Sequence, residues 1–236
     1  MLSTEEFKAF AAEVVPFLHV TSRVEGEAHP DMLQEKGGRG FPYVVAMDSK
    51  GEVIGQIADR TVAGFRAMTK KAAEYVALAA KEKRTAAEEL RYVVALHELN
   101  KVDVAEARKR VEALEGLDDA GKKERDQFLL VLDIRSAVEG KNPQAMGEEE
   151  KIALGKTFHE WWKAGREPTD QGAMQPFFIF MLDYAESAKD AELFEKALGK
   201  LREVFGPMPG AAGFFKRQDD RLAKLKEAAP PAEGGK

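Results

Sequence analysis

The sequence predicts a short α/β segment at residues 1–66, then an all-α region of helical hairpins at 67–228 and a disordered tail at 229–236. Three observations lead there. The apolar run Tyr43–Met47 is joined by Asp48-Ser49-Lys50-Gly51 to a second run, Glu52–Ile57, the pattern of two strands around a tight turn. Beyond Thr61 no strand pattern recurs, and helical periodicity repeats between breaks rich in Gly, Pro, Asn and Asp. The tail is dominated by Ala, Pro and Gly, with too little apolar bulk to bury.

The elements follow in chain order. Ser3 or Thr4 caps a first helix whose opening turn carries Glu5 and Glu6, where the macrodipole favours acids. Phe7, Phe10, Ala11 and Val14 form its buried stripe, and Pro16 ends it. Phe17-Leu18-His19-Val20-Thr21 reads as a strand, being apolar and β-branched. Asp31–Lys36 predicts a short helix stopped by Gly37-Gly38. Tyr43–Met47 has almost no polar residue, as expected of a strand covered on both faces, and the tight link makes it one arm of an antiparallel hairpin. Val62–Lys81 is a long Ala-rich helix, and further helices are expected at about 86–99, 103–115, 120–139, 148–164, 173–187, 190–204 and 211–228. Their short links imply hairpins stacked side by side. The run 176–182 is apolar most of the way round and is expected in the core, and one of the adjacent Trp161 and Trp162 is expected to point away from it.

Composition narrows the function classes. The net charge is −5, and basic clusters such as Lys81–Arg84 are interleaved with acids, which argues against a nucleic-acid partner. The chain has no cysteine, which excludes disulfides, thiolate metal sites and a cysteine nucleophile within it. No apolar run approaches the ~20 residues of a membrane span. Met1–Phe7 has neither a basic start nor a long apolar stretch, so the chain as written reads as soluble and cytoplasmic; a preceding signal peptide would make it periplasmic or secreted.

The stretch Gly37-Gly38-Arg39-Gly40-Phe41-Pro42 and the strand, Asp-x-x-Gly turn and strand after it resemble the C-terminal half of a thioredoxin-like domain, over roughly residues 2–80. The resemblance implies a cis bond before Pro42 and an extended peptide held at Arg39, Gly40, Phe41 and Pro42. It also marks a gap, because the family's first strand and its Cys-x-x-Cys helix are missing here. The family's central strand would lie between those matching 17–21 and 43–47. Either the protein begins upstream of Met1, or a partner chain donates a strand, or the two strands close directly. The resemblance therefore implies a non-catalytic protein that binds proteins or peptides. The alternative is the C-terminal part of a thiol-disulfide oxidoreductase whose Cys-x-x-Cys lies upstream of Met1. Two hairpins, Tyr92–Leu114 and Asp183–Pro207, resemble tetratricopeptide repeats in the placing of Ala95, Ala107, Val111, Phe194, Leu198 and Leu201. A repeat array and a generic hairpin bundle both fit that placing.

Other candidate chemistry reads as structure. Gly37-Gly38-Arg39-Gly40 is followed by extended Phe41-Pro42 rather than a helix, so it is not a phosphate loop. His19, His29, His97 and His159 lack helical zinc-ligand spacing, and Glu25, Glu27, His29 and Asp31 read as a solvated loop, so no metal is expected. No cofactor motif and no catalytic set emerges from the spacing.

Overall fold

The computed structural model describes residues 3–20, 28–57, 59–141, 145–208 and 210–228. The described chain is mostly helical, with one two-stranded antiparallel sheet. It groups into two compact units, Met1–Gly121 and Lys122–Lys236, divided within the first turn of one helix.

In the first unit, α1 (Glu5–Ala11) is capped by Thr4, whose hydroxyl accepts from the Phe7 N–H at 3.2 Å. The four-residue α2 (Met32–Glu35) follows, then β1 (Val45–Met47) and β2 (Val53–Gln56), paired antiparallel with Val45 opposite Gln56. Asp48 closes their turn: its Oδ1 accepts from the N–H groups of Lys50 and Glu52, and Gly51 takes a φ of 78°. α3 (Val62–Ala79) starts at Thr61, whose hydroxyl accepts from the Gly64 N–H. Phe10, Ile57, Val62 and Phe65 form the buried cluster of this layer, with Phe7, Val14, Val44 and Met68 packed around it. Three phenylalanines mesh there at centroid distances of 5.5 to 5.9 Å. In the same unit α4 (Ala86–Glu98) packs on α3, and α5 (Val104–Glu112) packs on α4. Tyr75 stacks on Tyr92 at 5.9 Å, Arg84 lies 4.2 Å above the Tyr92 ring, and Glu89 pairs with both Arg84 and Arg110.

One strand expectation is corrected. Phe17–Val20, the described part of the expected strand 17–21, has no regular structure, and Thr21 lies outside the described residues. A strand exists only by pairing, and no partner strand lies beside this segment among the described residues. The second half of the expected Glu25–Asp31 loop, His29 to Asp31, is exposed, while Glu25 and Glu27 lie outside the described residues, as does the tail 229–236.

The second unit holds most of α6 (Asp119–Val138), then α7 (Glu148–Lys163), α8 (Gln171–Ser187), α9 (Ala191–Phe205) and α10 (Ala212–Ala228). Its core is aromatic: Phe158, Phe177, Phe178 and Phe194 are fully buried with Met181, Leu182 and Leu198. α8 supplies most of it, which agrees with its apolar run. Asp170 and Asp190 cap α8 and α9 through bonds to the N–H groups of Ala173 and Leu193. Helices α4, α7 and α8 end alike: Asn100, Gly165 and Lys189 take positive φ, and the next N–H reaches back to the carbonyls of Leu96, Trp161 and Ala185. Neither tryptophan points away. Both are half-buried, Trp161 against Phe158 and under Arg166, Trp162 edge-on to Phe178 with its N–H donated to Glu167.

Candidate functional site: the Arg39–Pro42 loop

The loop is built by the chain on either side of it. α2 is too short to be stable by itself and is closed by N–H groups of Gly37 and Gly38 bonding back to Gln34 and Leu33. Gly37 takes a φ of 82°, which any side chain would disfavour. A Cβ at Gly38 would press on the Leu33 side chain and sit 2.9 Å from the Tyr43 ring, so one of them would have to shift. Tyr43 locks this arrangement by donating its hydroxyl to the Lys36 carbonyl at 2.8 Å. On the far side, Arg60 donates to the Pro42 carbonyl at 3.1 Å, and the Ile57 N–H bonds the Val44 carbonyl at 2.9 Å. The Phe41–Pro42 peptide is cis.

Between these anchors Arg39, Gly40, Phe41 and Pro42 are all exposed. The Phe41 side chain is 67% exposed although it is large and apolar. Among the described residues, none hydrogen-bonds the backbone N–H or C=O of Phe41. The four expected residues are consecutive and all exposed on one surface loop. Chemically the loop offers a phenyl ring, a guanidinium and open peptide groups. These groups suit recognition, and the loop holds no nucleophile or acid–base pair. β1 pairs with β2 along one edge, and its other edge has no partner strand among the described residues.

No family model, no curated protein and no solved structure matches the chain.

A second polar locus lies in the other unit, where sequence reasoning saw only structural residues. His159 and Lys163 of α7 and Asp190 and Lys196 at the start of α9 line an open cleft of about 460 Å³. The His159 Nδ1 is buried with no hydrogen-bond partner, and its ring lies 5.6 Å from that of Tyr184. Burial, with help from the charge of Lys163, holds the His159 pKa below the usual histidine value. The cleft's lysines are already engaged, Lys163 with Glu160 at 2.7 Å and Lys196 with Glu192 at 2.5 Å. His97 is buried in α4. Among the described residues, no group of three or more His, Asp or Glu side chains is placed to hold a metal ion. None of the described helices is long and apolar enough to cross a membrane.

Proposed function

We propose that this protein is a non-catalytic, thioredoxin-like binding protein that presents Arg39, Gly40, Phe41 and Pro42 to an extended segment of a partner protein. The observation that carries this reading is the exposure of Phe41 in a loop pinned on both sides. A large apolar side chain held outward by a fixed backbone has its ordering cost met before a partner arrives. In this reading the Phe41 peptide groups, which no described residue bonds, supply main-chain partners for an extended peptide, and the edge of β1 that no described strand pairs would accept a donated strand. The helical hairpins serve as scaffold. In this reading the partner is a protein, with neither a nucleic acid nor a cofactor involved.

The test uses fluorescein-labelled synthetic peptides of about ten residues, apolar and β-branched, titrated with the full chain and followed by anisotropy. Phe41→Ala is expected to weaken binding tenfold or more, about 1.4 kcal/mol, as for an interface anchor. Because Phe41 packs in no core, the same change should leave the unfolding midpoint unmoved. Val76→Ala, at an exposed position on α3, is the control and should bind as the parent does. Equal binding by parent and Phe41→Ala, or no binding by the parent across a peptide array, overturns the proposal.

A further inference from the structure

We draw no further inference here: the strongest candidate, the exposed apolar segment Val15–Val20 that follows α1, with Val15 94% and Leu18 82% exposed, carries nothing because nothing in the structure shows what covers it.

Discussion

Gly155→Ala should destabilise the second unit, although alanine is the better helix former. Gly155 is buried in α7, on the side that packs extensively against α8. A Cβ at Gly155 would fall 2.7 Å from both the Phe180 carbonyl carbon and the Tyr184 Cβ, and closer still to the Phe180 oxygen. The obstacle is backbone, so no side chain can rotate away, and the helices must separate by about 1 Å to reach ordinary contact distances. A leucine-sized side chain makes 40–60 contacts at ~0.1–0.2 kcal/mol each, and a gap of ~1 Å forfeits a quarter to a half of that. Forfeiting that fraction at one side chain costs about 1–6 kcal/mol, of which helix propensity returns about 1. The usual cost of overpacking, about 1–3 kcal/mol, lies within that range and is the net loss expected here. Both tryptophans of the chain lie in α7, so their fluorescence reports this unit alone. In urea the midpoint should fall by about 1 M. Gly199→Ala in α9 is the matched control. Nothing lies within 4 Å of its Cβ position, and the change should stabilise by about 0.5–1 kcal/mol. If Gly155→Ala raised the midpoint as Gly199→Ala does, the close approach of α7 to α8 would be refuted.

Three further outcomes are expected. The Glu88 carboxyl, bonded by Lys81 and by the Thr85 N–H at the start of α4, is held down at about 2, below its ordinary 4.5. Its folded pKa is depressed, so its contribution is present above pH 4.5 and is lost as pH falls toward 2. A carbon-detected titration of Glu88 should show that low midpoint, and a midpoint at the ordinary carboxylate value would refute the capping network. His159 is also depressed, by burial first, so the folded second unit binds fewer protons than the unfolded chain. Its stability should decline as pH falls below about 6.5, read by tryptophan fluorescence in urea, and His159→Gln should flatten that decline. Arg221 of α10 donates to Asp183 and Glu186 of α8 and lies 5.4 Å from the Phe194 ring centre. Arg221→Ala strips that packing and leaves two carboxylates together, an expected loss of about 1–2 kcal/mol in the same fluorescence assay; an unchanged midpoint would show the pairing to be inert.

The helices were legible because their signals are local. Thr85 with Glu88, Asp103, Asp170 and Asp190 sit immediately before apolar stripes and form the caps that such residues form. The hairpin was legible for the same reason, since Asp48 and Gly51 carry its turn within four residues. Phe17–Val20 shows where local reading fails. Its composition is that of a strand, but pairing depends on a partner distant in sequence. The two tryptophans fail similarly: Trp161 and Trp162 point in different directions, yet the Arg166–Glu167 corner folds back and covers both. For the candidate loop, its four residues were legible from Gly-Phe-Pro. Its anchoring was not, because Tyr43 to Lys36 and Arg60 to Pro42 are links of 7 and 18 residues that no pattern announces.

Those two links also decide how the loop differs from ordinary exposed chain. The sheet layer of the first unit rests on Phe10, Ile57, Val62 and Phe65, with Ile54 of β2 also buried, whereas the second unit is filled by an aromatic core. A loop on so small a core would ordinarily collapse its one large apolar side chain onto the nearest surface, since burying it is favourable by about 1.5–3 kcal/mol. Phe41 does not collapse. The residues before it are tied by the Tyr43 bond to Lys36, and the Pro42 carbonyl after it accepts from Arg60, so the main chain is anchored on both sides of the exposed ring. The free energy left unrealised by its exposure is available to whatever covers it. The binding role we propose for the loop draws on those same anchors.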